Sequence, residues 1–155
     1  MGFSPDLTTT GAPIAAFTSP TYTLVTDLAP DVSSRQWAVS ACGGTQTGAR
    51  ASSNGDPFTQ TIKRGPYRAL PPANPVNGSY GNVPRNVTEV ITRKGVMIDS
   101  SGTIQVLEIR TTVRVPAGAE SNDAVNIKAA VSAHEGLLYE ESSDFADTLI
   151  TGILG

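Results

Sequence analysis

The clearest pattern along the chain is an alternation of apolar and polar side chains between Thr103 and Val115. One set of alternate positions is apolar or β-branched and comprises Leu107, Ile109, Thr111, Val113 and Val115. The other set is charged or hydroxylic and comprises Glu108, Arg110, Thr112 and Arg114. A period of two predicts a β-strand with one buried face and one polar face. Pro116 has no N–H to give to a sheet ladder and is expected to end the strand.

The period changes to that of a helix after Gly118. Either Ser121 or Asn122 is suited to cap the start of this helix, with Asp123 in its first turn. Apolar side chains then recur at helical spacing, at Ala124, Ile127, Ala130 or His134, Val131 and Leu138. A second, shorter helix is predicted from Ser143, and its apolar face comprises Phe145, Leu149 and Ile153. Because a helix of about three turns is marginal alone, we expect it to dock on another surface.

Four shorter strands are predicted upstream, at residues 21–28, 36–40, 59–64 and 86–94. The first two form an N-terminal hairpin, and the short links between strands favour an antiparallel meander. Residues 1–19 are expected to form an extended or partly mobile arm, and residues 65–84 a long proline-rich loop. These elements predict one α+β domain over residues 1–155, with the hairpin and sheet in 20–115 and two helices in 120–155.

Residue types that support catalysis or metal binding are sparse. The single cysteine, Cys42, excludes a disulfide within one chain and a metal site built from several cysteines. His134 and Glu135 begin like a zinc-binding helix, but Leu138 stands where a second histidine is needed. No serine lies in a nucleophile-elbow pattern. We therefore expect no enzymatic activity, no metal and no cofactor.

Charge is divided unevenly along a chain whose net charge is −3. Residues 35–114, which hold most of the predicted strands, contain ten basic and four acidic residues, a net of +6. Residues 115–155, which hold the predicted helices, contain one basic and seven acidic residues, a net of −6. A basic sheet beside acidic helices indicates a polyanionic partner for the uncovered sheet face. An ordinary mixed surface explains the same distribution, so charge alone leaves both interpretations open.

Three of the predicted strands have polar side chains at alternate positions. They are Thr59, Thr61 and Lys63 on one strand, Asn86, Thr88, Thr92 and Lys94 on another, and Glu108, Arg110, Thr112 and Arg114 on the third. Hydroxyl, amide and basic groups on one wide sheet face are the groups that contact phosphate and sugar. A face that contacts only water would be expected to hold more Glu and Asp, so we favour contact with a polyanion.

The order of elements and several local segments resemble the coat proteins of single-stranded RNA bacteriophages of the levivirus type. The likeness is carried by Glu108–Val115, by the helix from Asn122 to Leu138, by the short helix from Ser143 to Leu154, and by Thr59–Lys63. The resemblance implies an interlocked homodimer, in which two sheets join edge to edge into one continuous sheet and each chain's helices lie across the partner's half. It further implies an icosahedral virion shell, assembled in the cytoplasm of a bacterial host, whose inner sheet face contacts genomic RNA.

The resemblance also implies roles for individual residues. Thr59 and Thr61 match a hydroxyl pair around a flipped adenine in an RNA hairpin that represses translation, whereas Val106 stands where the family has a stacking tyrosine. That difference counts against base-specific recognition and leaves phosphate contacts. The implied RNA-binding residues are Thr59, Thr61, Lys63, Thr88, Thr92, Lys94, Glu108, Arg110, Thr112 and Arg114. The implied dimer interface comprises Ile127, Val131, Leu138, Phe145, Leu149 and Ile153. Contacts between dimers are expected at the turn 97–102 and the loop 65–84.

Two other classes of function fit parts of the sequence. A β-rich adhesion or pilin-like surface module would explain the strands and loops, but the missing signal peptide and the two terminal helices count against it. A small dimeric α+β enzyme or ligand-binding domain is opposed by the scarcity of His, Cys and paired carboxylates. The chain also lacks an apolar run long enough to cross a membrane, so we expect neither a membrane partner nor a small-molecule substrate.

Overall fold

The computed structural model describes residues 2–154. Its sheet has six antiparallel strands in sequence order, β1 (Thr8–Thr10), β2 (Pro20–Asp27), β3 (Ser34–Gly44), β4 (Phe58–Arg64), β5 (Arg85–Met97) and β6 (Ile104–Pro116). Three helices follow, α1 (Ala119–Asn122), α2 (Ala124–Glu140) and α3 (Ser142–Thr151). The predicted α+β fold, an antiparallel meander followed by C-terminal helices, is confirmed.

The β5–β6 hairpin is the longest paired unit of the sheet. Its register runs unbroken from Arg85 opposite Pro116 to Met97 opposite Ile104. Both ends of β6 lie within one residue of the prediction from its alternating pattern. β5 is longer than the predicted segment 86–94 because its pairing with β6 continues in both directions.

The turn between β5 and β6 is held by one carboxylate. Asp99 accepts hydrogen bonds from the backbone N–H and the hydroxyl of both Ser101 and Thr103, at 2.8–3.1 Å. Gly102 has a φ of 89°, a conformation that glycine adopts without the steric penalty of a side chain. The tip of the hairpin is therefore a fixed turn.

Strand register assigns each strand residue to one of two sheet faces, since residues directly opposite each other point to the same side. Gln36, Thr61, Ile91 and Arg110 lie side by side on one rung, on the side that we call the polar face. Trp37, Gln60, Thr92 and Ile109 lie on the neighbouring rung and point to the opposite side. We call that side the helix face.

The helix face takes its name from the contact with α2. Val113 and Val115 point to this face and border a cavity of about 270 Å³ together with Ile127 and Val131 of α2. The same strand residues are partly covered, whereas Arg114 between them is exposed. The start of α2 therefore lies against the end of β6 on this side of the sheet.

The apolar core within one chain is small. Within residues 2–154 the buried apolar side chains are Pro20, Leu24, Val39, Ile91 and Ala117. Leu24 and Val39 are opposite each other on β2 and β3. A chain of this length ordinarily buries about two thirds of the surface that its unfolded form exposes. So small a core leaves much apolar surface uncovered within one chain.

The first 19 residues, predicted to form an extended or partly mobile arm, contain one short strand of the sheet. Thr8–Thr10 form β1 and pair with β2, because three consecutive β-branched side chains suit an edge strand. Upstream of β1, the ring of Phe3 lies 6.0 Å from that of Trp37 on the helix face. The extended or partly mobile character of the whole arm stays a prediction. Met1, also assigned to the arm, lies outside the described residues.

Three helices, rather than the predicted two, follow the sheet. Gly118, with φ 89°, and Asp123, with φ −145°, interrupt the helical backbone on either side of α1. The predicted caps Ser121 and Asn122 lie inside α1, so their assignment as helix caps was wrong. Asp123 precedes α2 but makes no side-chain bond to its backbone.

Helix α3 begins at Ser142, one residue before the predicted start, and is attached to the loop between β1 and β2. Ser142 Oγ donates a hydrogen bond to the carbonyl oxygen of Pro13 at 2.6 Å. Ser143 Oγ accepts one from the backbone N–H of Ala15 at 3.2 Å. Gly155, at the end of the predicted helical region, is outside the described residues.

The loop at residues 65–84 is irregular, as predicted, but its base is anchored. The Asn86 side chain accepts a hydrogen bond from Arg68 N at 2.7 Å and donates one to Arg68 O at 3.1 Å. The Tyr67 hydroxyl donates to Glu120 Oε1 at 3.0 Å, and this carboxylate raises the pKa of Tyr67. The loop therefore joins the start of β5 to α1.

Helices α2 and α3 bury little within one chain. No residue of α2 is buried, and Ser142 is the one buried residue of α3. The side chain of Val125 is 76% exposed, that of Leu137 60% and that of Leu149 63%. Exposed apolar side chains along two helices mark a surface for another chain. None of the helices in the described chain is long and apolar enough to span a membrane.

Candidate functional site

Hydroxyl groups of β4 lie buried at the centre of the polar face. Thr61 is 2% exposed and Thr59 9%. Thr61 Oγ1 donates a hydrogen bond to Gln36 Oε1 at 2.9 Å, and Gln36 Nε2 donates one to Asp27 Oδ2 at 2.7 Å. These three side chains cross β2, β3 and β4 on a single rung. The hydroxyl proton of Thr61 is therefore already used in a hydrogen bond to another side chain of the same chain.

A depression of about 540 Å³ opens beside these groups on the polar face. Thr59, Gln36 and Arg93 line it, together with the irregular segment that precedes β4. Hydroxyl, amide and guanidinium groups around a concave surface can hydrogen-bond a polar ligand such as a nucleotide base with its phosphate. The depression is therefore a candidate site for such a ligand on this face.

Asp56 fixes the irregular segment that borders the depression. Its carboxylate, in a residue only 6% exposed, accepts hydrogen bonds from Arg50 Nε and, at 2.6 Å, from Lys94 Nζ. Arg50 also donates to the carbonyl oxygen of Gly95 at 3.1 Å. The bonds from Arg50 and then Lys94 lower the pKa of Asp56. Lys94 lies over the ring of Phe58, 5.3 Å from its centroid, and so is held on the helix face.

Basic residues at the centre of the polar face are paired with carboxylates. The ion pairs are Lys63–Asp31 at 2.8 Å, Arg93–Glu108 at 3.0 Å, Arg110–Glu108 at 2.7 Å and Arg110–Glu89 at 3.6 Å. The bond from Lys63 lowers the pKa of Asp31 to about 2, and the bond from Arg110 lowers the pKa of Glu108. The centre of this face is therefore a charge-balanced network.

The predicted RNA-binding residues are divided between the two faces. Seven lie on the polar face, namely Thr59, Thr61, Lys63, Glu108, Arg110, Thr112 and Arg114. The other three, Thr88, Thr92 and Lys94, lie on the helix face. The prediction of one common face was thus wrong for β5, whose polar-face residues include Arg85, Val87, Glu89, Ile91 and Arg93. Because both alternating sets of β5 mix polar and apolar side chains, the pattern could not fix its orientation.

Three residues of the polar site were missed by the sequence analysis. Asp27 and Gln36 flank the β2–β3 turn, where polar side chains are expected in any hairpin. Arg93 is adjacent to the predicted Lys94 in sequence, and only the cross-strand register shows that Arg93, not Lys94, lies on the polar face. No sequence signal distinguishes these residues from ordinary surface positions.

The basic residues that the sequence assigns to the sheet region are also divided between the two faces and the loops. Strand residues on the polar face include five bases, Lys63, Arg85, Arg93, Arg110 and Arg114, and three acids, Asp27, Glu89 and Glu108. The helix face takes Arg35, Arg64 and Lys94, while Arg50 and Arg68 lie outside the strands. The excess of two bases on the polar face is therefore smaller than the sequence total indicated.

A second candidate site is the outer edge of β6. This strand of 13 residues pairs with β5 on one side and is last in the strand order of the described sheet. Next to the edge, on the helix face, Leu107 is 43% exposed and Ile109 48%. An unpaired edge of this length beside apolar side chains is a template for pairing with another strand.

The six predicted interface residues extend this apolar surface onto the helices. Ile127 and Val131 are half-buried near the end of β6. Phe145 is 47% exposed and Ile153 70%, with Leu138 and Leu149 exposed as well. A single chain leaves most of this surface uncovered, and its role as a dimer interface stays a prediction.

Acidic and other ligand-type residues are dispersed through the structure. Among residues 2–154, no group of three or more His, Cys, Asp or Glu side chains is placed to hold a metal ion. The Cys42 thiol is partly buried, and burial raises its pKa. The two surfaces with organised chemistry are therefore the polar face and the β6 edge with its adjoining helices.

Comparison with known proteins finds similarity among solved structures. No protein-family model matches the chain, and no curated protein matches it. Among solved structures, a chain of the virus-like particle of bacteriophage ESE020 is 43% identical in sequence. The match covers 99% of this chain and 100% of that one, with a TM-score of 0.95. The likeness therefore extends over the sheet and the helices together.

Proposed function

The chain belongs to the family of bacteriophage capsid proteins, and from this premise we propose that it forms the shell of a single-stranded RNA phage. Two copies would join through β6 into a homodimer with one continuous sheet. Dimers would then assemble in the bacterial cytoplasm into a closed shell whose polar face contacts the genomic RNA. Its role is structural and requires no catalysis. The observation that carries this proposal is the long unpaired edge of β6 beside uncovered apolar surface.

Pairing of two β6 strands would satisfy an edge that one chain leaves open. A two-fold axis through the middle of the strand makes the interface self-complementary, as in most homodimers. Each of the 13 residues of β6 would then gain a partner strand on its second side. The cost of an exposed sheet edge, which otherwise invites aggregation, would be removed.

Uncovered apolar side chains on the helix face and on α3 support the same dimer. Leu107 and Ile109 are exposed beside the β6 edge, and Phe145 and Leu149 are exposed on α3. Burial of one such side chain is worth about 1.5–3 kcal/mol. Reciprocal packing of helices and sheets in the dimer would bury both sets at once.

Contact of the polar face with RNA is supported by the depression beside Thr59 and by the excess of bases on this side. Val106, in the place of the family's stacking tyrosine, also points to the polar face and is 52% exposed. A valine offers no aromatic plane on which a base can stack. We therefore favour contacts to the RNA backbone over recognition of one hairpin and translational repression.

Expression of the full chain in bacteria tests the proposal. Electron microscopy of the purified protein should show closed, roughly spherical particles, and the 260/280 nm absorbance ratio should indicate enclosed RNA. Small oligomers free of RNA would contradict it. The substitution Ile109→Asp, which places a charge beside the β6 edge, should yield particle-free protein that light scattering identifies as monomer. The matched substitution Val76→Asp, on a side chain 92% exposed in the long loop, should leave the dimer intact.

A further inference from the structure

Basic residues of the sheet and its loops fall into two groups. Among residues 2–154, five of them take part in ion pairs, namely Arg50, Lys63, Arg93, Lys94 and Arg110. The other five make neither an ion pair nor a side-chain hydrogen bond within the described chain, and they are Arg35, Arg64, Arg68, Arg85 and Arg114. All five unpaired arginines lie at one end of the sheet, where β4 and β6 end and β3 and β5 begin. The positive charge available to a partner is therefore concentrated at this end.

Two of the unpaired arginines, Arg85 and Arg114, share the polar face. Arg85 is opposite Pro116, and Arg114 is opposite Val87, so the two are diagonal neighbours on adjacent strands. Diagonal neighbours lie roughly 7–8 Å apart at the Cα atoms, within reach of long side chains. Both are exposed. Their guanidinium groups can therefore contact neighbouring phosphates of one RNA strand.

The backbone beneath this pair is fixed. The β5–β6 register continues to Pro116, and beyond it the N–H of Ala117 donates to the carbonyl oxygen of Pro84 at 2.9 Å. Ala117 is 4% exposed, so this closing contact is itself buried. The two arginines are therefore carried by a rigid part of the sheet, which lowers the ordering cost of binding.

A free guanidinium binds phosphate at lower cost than one that is already paired. To contact RNA, Arg110 would give up bonds to Glu108 and Glu89, whereas Arg85 and Arg114 give up only water and counterions. Arginine also presents a planar fork that matches phosphate oxygens. We propose that Arg85 and Arg114 form the phosphate-binding site of the polar face, an inference that rests on the proposed contact with RNA.

The proposed site explains how the polar face holds RNA without reading its sequence. Contacts to phosphate position a nucleic acid but carry no base specificity. The two-fold axis of the proposed dimer would place the second copy's arginine pair at the opposite end of the continuous sheet. RNA would then be held at two ends of each dimer, on either side of the charge-balanced centre around Arg110.

A matched pair of double variants tests the site. Arg85→Gln with Arg114→Gln removes the proposed site, whereas Arg35→Gln with Arg64→Gln removes two exposed, unpaired arginines that are diagonal neighbours on the helix face. Both variants change the net charge equally. Binding of single-stranded RNA to dimers is measured against salt, together with the RNA content of assembled particles. The first variant should reduce the slope of log affinity against log salt by about 1.4, at about 0.7 for each phosphate that is no longer neutralised. The second should leave the slope unchanged.

Each alternative result overturns the inference. An unchanged slope in the Arg85/Arg114 variant, or an equal reduction in both variants, would show that no site exists there beyond general charge. Loss of dimers or particles with unchanged RNA affinity would show that the pair contacts a second copy of the chain instead. If the double variant does not fold, each single substitution should lower the slope by about 0.7, and an unchanged slope in both overturns the site. Wild-type particles free of RNA would contradict the proposed function itself.

Discussion

The β5–β6 hairpin and the helices α2 and α3 are both regular, yet they differ in how much of their contact surface lies within one chain. The two strands of the hairpin pair with each other in an unbroken register, and Asp99 stabilises the turn between them. The helices satisfy their own backbone but leave their apolar side chains exposed, with no buried residue on α2. The hairpin therefore lacks a partner strand at the outer edge of β6, and the helices lack partners for their apolar side chains.

This difference indicates which elements are stabilised within one chain and which are expected to gain stability from a second copy. A short helix gains most of its stability from packing of its apolar face rather than from intrinsic propensity. In this chain the helices are attached near their ends: Ser142 donates a hydrogen bond to Pro13 O, and the start of α2 lies beside Val113 across a cavity. We infer that the hairpin forms the rigid platform, and that the helices reach their final stability when a second copy covers them.

The largest expected effect follows from charging the helix surface. Leu138→Glu with Phe145→Glu removes four apolar side chains from each dimer, each worth about 2 kcal/mol on burial. The dimer dissociation constant, measured by analytical ultracentrifugation, should rise at least about a thousand-fold, since about 1.4 kcal/mol is a factor of ten. The control Val76→Glu adds a carboxylate to the exposed loop and should leave it unchanged. Equal dimerisation of the double variant and the wild type would refute the role assigned to the helices.

A pair of glycine substitutions compares the two regions directly. A Cβ at Gly95 of β5 would collide with Asp56 and come within 2.9 Å of Ile104, whereas one at Gly136 of α2 would meet nothing within 4 Å. Gly95→Ala should therefore destabilise the fold by about 2 kcal/mol or more, a typical overpacking cost. Gly136→Ala should stabilise it by up to about 1 kcal/mol through helix propensity. Urea denaturation measures both, and a similar change in the two variants would contradict the contrast.

A smaller effect is expected at the hairpin turn. The hydroxyl of Ser101 and then the N–H of Thr103 lower the pKa of Asp99 below its ordinary 3.8. A depressed folded-state pKa contributes stability above the unfolded pKa, and this contribution is lost as the pH falls through the lowered value. Asp99→Asn should lower the melting temperature at pH 5 and reduce the difference in melting temperature between pH 5 and pH 3. Asp6→Asn serves as the control, because the Asp6 carboxylate makes no hydrogen bond in the described chain. A pH dependence unchanged by Asp99→Asn would count against the turn's role.

The sequence predicted those elements whose pattern is strong over many residues. β6 alternates cleanly over its whole length, and its bounds were correct to one residue. The order of strands followed from short links, and the helical region followed from its apolar spacing. These features depend on local chemistry that a single sequence displays directly.

The remainder depends on contacts between segments that are distant in sequence. The orientation of β5 is decided by its register with β4 and β6, so Thr88, Thr92 and Lys94 were assigned to the wrong face. Pairing of Thr8–Thr10 with β2 and the break at Asp123 likewise arise from tertiary context. Arg110 forms an ion pair with Glu108, whereas Arg114 forms none in the described chain. This difference can be determined only from the positions of side chains on several strands.

Amide hydrogen exchange along β6 tests the β6–β6 pairing most directly. In an edge strand, alternate N–H groups point away from the neighbouring strand and exchange rapidly, whereas a central strand protects consecutive residues. For dimers in solution, we expect slow exchange at consecutive residues through the middle of Ile104–Pro116. Protection at every second residue, with fast exchange between, would show that the outer edge stays open and would contradict the continuous sheet.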